Sequence, residues 1–227
     1  MKNATPALPL EPASVPMPRS DRRRQRTRAA IIAAGQHLFA TRSLEGVSID
    51  DIVAAADVAK GSFYNHFDHK EGLADTIIER VQDDTESHVH AANRNIVDPA
   101  LRITRALAVM VAYARAHPDR VQAMVSLSRR RLDIDSPLNA GVVGDVTRGL
   151  DTGRFKGVSP ATGVLVVIAL VRTAVDHITQ ALLPPTPDVL VADLGAALLR
   201  ALGVDSKEAS DIALAATQIL ATQEVCP

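Results

Sequence analysis

Apolar positions repeat at helical spacing along nearly the whole chain, and no stretch keeps the two-residue alternation of a half-buried strand. Ile31, Gly35, Leu38 and Phe39 fall on one face of a first helix over 27–40. Ile49, Ile52, Val53 and Ala56 share a face in a short second helix, with Ser48 as its N-cap and Asp51 as the other half of a capping box. After Asp57-Val58, Phe63 and Phe67 stand one turn apart in a third. Leu73, Ile77 and Val81 begin a long fourth helix that reaches about Asn93. The pattern over residues 1–20 is different: five of the thirteen prolines and no apolar period. That composition predicts a disordered arm.

Downstream, cap-then-proline pairs punctuate the helices, because proline is tolerated at the first helical position. They are Asp98-Pro99, His117-Pro118, Ser136-Pro137, Ser159-Pro160 and Thr186-Pro187. Ile103, Leu107, Met110, Val111 and Ala114 mark the fifth helix's buried face, and Val121, Met124, Val125 and Leu132 the sixth. The seventh runs to about Asp151, and Gly153 to Gly157 form a loop. The eighth, to about Leu183, is apolar nearly all round and is expected to be central. The ninth ends at Leu202 before Gly203, and Asp205 with Glu208 caps a tenth reaching about Thr222. The expectation is an all-α chain of ten helices, with an arm over 1–20, a helix-turn-helix domain over 21–70 and a second helical domain over 71–227.

Composition supports the helical reading. Of the 227 residues 47% are hydrophobic and only 3% aromatic, so Ala, Val, Leu and Ile must fill the core. The formal net charge is -1, so any affinity for nucleic acid has to come from local positive charge. Arg19 to Arg28 supplies it, with six Arg against one Asp. That run is either a solvated helix start or a phosphate-seeking patch, and its place just before a helix-turn-helix favours the patch. A single cysteine, Cys226, leaves no disulfide framework, which fits a reducing cytoplasm. No secretory leader is legible in the proline-rich start, and the longest apolar run, Val164 to Val171, stops at Arg172. No membrane association is expected.

The stretch Ala34 to Leu73 resembles the N-terminal domain of the tetracycline-repressor (TetR) family. A-x-x-L-F near the end of helix one, G-V-S-I at the start of helix two, and K-G-S-F-Y-N-H-F followed by K-E-x-L carry the likeness. Two positions depart from the family pattern. Asp57 stands where a turn glycine is usual, and His69 replaces the usual Ser or Thr before helix four, leaving Asp68 or His69 to cap it. Asp enters the left-handed region more readily than most residues, so the turn should survive.

The resemblance implies that Lys60, Gly61, Ser62, Tyr64, Asn65, His66 and Lys70 face DNA. The chemistry agrees residue by residue. Lys60 could reach guanine O6 and N7. Gly61 would let the helix start approach the groove, and Ser62 and Asn65 are short hydrogen-bonding groups. Tyr64 and His66 suit phosphate oxygens. Lys70, Ser48 and the arginines Arg22, Arg23, Arg26 and Arg28 are expected phosphate anchors, while Phe63 and Phe67 are core.

The resemblance further implies a homodimer through helices 8 to 10, a palindromic operator in double-stranded DNA, and an effector site in the second domain. Apolar, small-residue faces at Val164 to Ile178 and Leu190 to Leu202 suit the dimer. Candidate effector-lining residues are His88, Met110, Tyr113, Met124, Leu127, Phe155 and His177, although each reads more readily as ordinary core packing or, for the histidines, a satisfied core group. So few aromatics point to an apolar small molecule as effector. The chain carries no P-loop, dinucleotide glycine motif or nucleophile elbow, and no cofactor is expected. Glu86 and His90 share a helix face but give two ligands at best, short of a zinc site. The function expected is a ligand-responsive repressor. An activator of the same fold and a helical adaptor that binds no DNA are the alternatives.

Overall fold

The computed structural model describes residues 18–128, 139–180 and 185–222, and these form α-helices with no strand. The helices are α1 (Arg19–Thr41), α2 (Ile49–Ala55), α3 (Lys60–Tyr64), α4 (Lys70–Ala92), α5 (Pro99–Ala116) and α6 (Pro118–Ser128). They continue with α7 (Ala140–Asp151), α8 (Pro160–Thr179), α9 (Pro187–Ala201), α10 (Ser206–Ala216) and α11 (Gln218–Thr222). The expected seventh-helix start at Ser136-Pro137, Leu132 and the eighth-helix end at Leu183 lie outside the described residues.

The first core gathers Ile31, Phe39, Val47, Ile52, Phe63 and Phe67 from α1 to α3 and the segments that follow α1 and α3. It overruns the boundary expected at residue 70, taking Leu73, Ala74 and Ile77 from α4 and Ala123 from α6. Gly35 permits this, since a Cβ there would lie 2.9 Å from the Leu73 side chain. The second half is built around α5, which buries residues on nearly all sides from Pro99 to Ala114. The expectation that α8 is central is therefore wrong. Only Gly163, Val164, Val167, Ala174 and Val175 of α8 are buried, and Leu165 is 48% exposed. By length and composition α8 would suffice to cross a membrane, but its buried side packs in the bundle against α5, α7 and α9. The apolar run reported what α8 is made of and not whether its own chain covers it.

Two other boundaries differ. The first helix begins at Arg19, not near Thr27, so the arginine run is its first three turns. The last predicted helix is broken at Thr217, whose hydroxyl donates back to the Leu214 carbonyl at 2.8 Å, and α11 follows. Ion pairs lock the α4–α5 turn to the distal end of the bundle. Arg102 Nε donates to the buried Asp145 at 2.6 Å, and Arg154 grips the α5 cap Asp98 at 2.9 and 3.0 Å while also pairing with Glu208.

Candidate nucleic-acid interface

Helix α2 is set by the predicted capping box. Ser48 Oγ accepts from the Asp51 N–H at 3.1 Å, and the Ser48 N–H donates to Asp51 Oδ2 at 2.9 Å. The Ser48 N–H, and then the Ser48 hydroxyl, donating to its Oδ2 hold the Asp51 carboxyl below the usual carboxylate range. At the other end Asp57 adopts φ 52°, the left-handed conformation expected of it. The Asp57 N–H reaches the Ala54 carbonyl and the Val58 N–H the Val53 carbonyl, closing the helix as a glycine would. His69 caps α4, its Nδ1 accepting from the Gly72 N–H at 3.0 Å.

That frame presents α3 outward. Phe63 and Phe67 are buried beneath it, as expected, while Lys60, Gly61, Tyr64 and Asn65 are exposed and Ser62 and His66 half-buried. A Cβ on Gly61 would meet nothing within 4 Å, so no contact inside the protein requires the glycine. Lys60 is not free. Its ammonium lies 2.7 Å from Asp50 Oδ1 on α2, which raises its pKa.

Two expected phosphate anchors are already engaged. Lys70 is half-buried, and its ammonium donates to the carbonyls of Leu44 at 2.8 Å and Val47 at 2.9 Å. It closes the α1–α2 segment onto α4, leaving one N–H for anything outside. The Ser48 hydroxyl likewise donates to Asp51 Oδ2 at 2.8 Å.

The arginines divide by helix face. Arg28 lies over the Phe67 ring, 5.1 Å from its centroid. Arg24 and Arg28, one turn apart, are close enough to His66 to add to burial in lowering its pKa. Arg22 and Arg26, also one turn apart, lie on roughly the opposite side of α1, and Arg23 between. Sequence reasoning missed Arg24 and Asp50. The helical period applied to the arginine run could have singled out Arg24, but only the packing of α2 against α3 reveals Asp50.

The effector candidates scatter. Tyr113 is buried, and its hydroxyl donates to Asp84 Oδ2 at 2.7 Å. Burial and that bond push its pKa up to about 12. His88 sits 5.7 Å from the Tyr113 ring and bonds the Asp84 carbonyl through Nδ1 at 2.7 Å. Met110 and Met124 pack against the same cluster as Tyr113, with Val121, Val125 and Val175. His177 lies on α8, and its Nε2 is buried with no partner, as is Gln122 Oε1 on α6. Leu127 instead packs on the first core, and Phe155 belongs to the distal core with Val146, Leu198 and Leu202. Those two do not join the others. Among the described residues Glu86 and His90 gain no third metal-ligating neighbour. A cleft of about 600 Å³ opens where Ile32 and Gln36 of α1 face Arg80 and Asp84 of α4, with Tyr113 and Arg120 at its wall.

Residues 31–77 match the model of bacterial regulatory proteins of the tetR family. Over that stretch, which holds α2 and α3, the chain resembles the tetR family. It is 32% identical over 75 residues to the HTH-type transcriptional repressor DhaR of Mycobacterium sp. strain GP1, a stretch covering 33% of this chain and 38% of that repressor. Its likeness to curated tetR relatives is thus confined to well under two thirds of their length. Solved structures extend the match through the second domain. The crystal structure of RolR with the ligand resorcinol is 25% identical, at TM-score 0.56, over 85% of this chain and 95% of that one. A gamma-butyrolactone receptor described as ArpA-like superposes at TM-score 0.66 with 21% identity, over 86% and 99%. The all-α fold shared with these proteins therefore extends well beyond residues 31–77.

Proposed function

We propose that this chain is a tetR-type, ligand-responsive transcriptional repressor that binds a palindromic operator as a homodimer. The observation that carries it is α3, a short helix anchored by the buried Phe63, with Tyr64 exposed and an outward side open at Gly61. One such helix touches few base pairs, whereas two about 34 Å apart read an inverted repeat. The uncovered apolar side of α8, where Leu165 is exposed, suits a second copy, and so does the exposed Leu214 of α10. The face expected on α9 contributes less, because Leu190, Leu198 and Leu199 are spent inside the protomer. An operator-bound regulator works where the chromosome lies, which in bacteria is the cytoplasm.

The effector reading follows from the cluster of Tyr113, Met110 and Met124. Two buried atoms without partners, Gln122 Oε1 and His177 Nε2, lie on the helices that supply its other walls. Buried polar atoms cost free energy until something bonds them. A small organic molecule with a hydrogen-bonding group therefore fits better than a wholly apolar one, and resorcinol on RolR is of that kind. Hundredfold release from the operator would need about 2.8 kcal/mol of coupling.

An electrophoretic shift tests the reading. The protein should retard DNA from upstream of its own gene at low salt and protect an inverted repeat there. Failure to retard that DNA or any other genomic fragment rejects it.

A further inference from the structure

The Lys60–Asp50 pair joins two helices on the open side of the reader, and its members are 55% and 71% exposed. Exposed pairs of this kind contribute little to stability. Nor is Asp50 needed to start α2, because Asp51 already fills the capping box and faces the helix N-terminus. A carboxylate here does have one strong consequence: it changes what Lys60 can bind.

We propose that Asp50 is a specificity-determining residue of the DNA reader, one that withholds Lys60 from sequence-blind phosphate contacts. The proposal rests on α3 being the groove-entering helix. Non-specific affinity comes from cations that replace condensed counterions along the phosphates. An ammonium 2.7 Å from a carboxylate forms a pair of zero net charge, and a phosphate oxygen approaching Lys60 also meets Asp50. A guanine edge carries only partial charges, so it suffers far less from the carboxylate. It accepts through O6 and N7 the ammonium N–H groups that Asp50 leaves over. Asp50 can in turn accept from a neighbouring cytosine N4 amino group. The carboxylate thus weakens the wrong complex more than the right one, and discrimination is that difference.

The full-length protein tests this by selecting duplexes from a random-sequence library. Affinity is then measured for a selected duplex and a scrambled one across a salt series. In Asp50→Asn, scrambled DNA should bind more tightly and its log–log salt slope should steepen by about one per protomer. The selected-to-scrambled ratio should fall on the order of tenfold. Asp50→Glu should behave as wild type, and Asp50→Asn with Lys60→Ala should lose the steepening. Two outcomes would overturn the proposal: Asp50→Asn leaving scrambled-DNA affinity and slope unchanged, or shifting both duplexes by one factor with a lowered melting temperature. The latter assigns Asp50 to helix α2 alone. Wild-type protein that enriches no duplex rejects the DNA-reading function itself, a separate result.

Discussion

The Tyr113 hydroxyl donates to Asp84 across the α4–α5 contact, at the wall of the cleft where α1 meets α4. Arg120 of α6 approaches the same carboxylate at 3.6 Å. One side chain of α4 therefore receives groups from both α5 and α6, and α6 leans on α1. This junction is one place where a movement of α5 around an effector would reach both α4 and α6. Tyr113→Phe removes the donor without changing the packing, and Asp84 is open enough for water to replace it. Thermal unfolding should show a loss of about 1 kcal/mol. The larger effect should fall on coupling, seen as an effector response altered more than basal DNA affinity. A coupling ratio equal to wild type would remove Tyr113 from the path.

Gly149 and Phe155 hold the distal core. A Cβ on Gly149 would lie 2.0 Å from the Phe155 ring, which is 1% exposed. Gly149→Ala must eject or rotate that ring and should cost about 3 kcal/mol. Phe155→Ala should cost about 3–5 kcal/mol on its own. Because the clash vanishes with the ring, the double variant should be less destabilised than the sum, a cycle readable by urea unfolding. Additive losses would mean that Gly149 matters for some reason other than Phe155.

These two pairs mark where reading the sequence stops. Features confined to a few consecutive residues were legible: the Ser48–Asp51 box, the left-handed Asp57, the Asp98-Pro99 start, the buried Phe63 and Phe67. Each is decided by local backbone and hydrogen-bond geometry. What joins distant segments was not. Lys70 looked like a free cation because the carbonyls it bonds lie 23 and 26 residues away. Asp50 carries no signal in the sequence, because its partner Lys60 belongs to the next helix. The partial exposure of α8 was missed, since α8 reads as a core helix whether its own chain or another covers it.

Lys70 gives a prediction that separates folding from DNA contact. Replacing it with Met removes two charge-assisted bonds that hold the α1–α2 segment, so the DNA-binding domain should lose about 1.5–3 kcal/mol, measured by thermal unfolding. The salt slope for DNA should stay near wild type. A slope reduced by about one per protomer with unchanged stability would return Lys70 to the phosphates.

His66 should make DNA binding depend on pH. Burial first, then Arg24 and Arg28, hold its imidazole below the ordinary histidine value, so the free protein carries it neutral near pH 7. Phosphates placed against this corner would offset the two arginines and raise that pKa, so binding takes up a proton. The sign follows from linkage: affinity rises as pH falls through the bound-state pKa and levels off below the free-state one. Folding has the opposite sign. The unfolded chain takes the proton first, so stability declines as pH drops from the ordinary histidine value toward the lowered one. Fluorescence anisotropy between about pH 7 and 5 should show tighter binding toward acid, by at most tenfold per pH unit per protomer. His66→Asn should flatten the profile. Arg24→Ala should raise the free-state pKa and narrow the window, whereas Arg26→Ala, on the other side of α1, should leave it in place. Equal effects from the two arginine variants would mean that proximity to His66 is irrelevant to DNA.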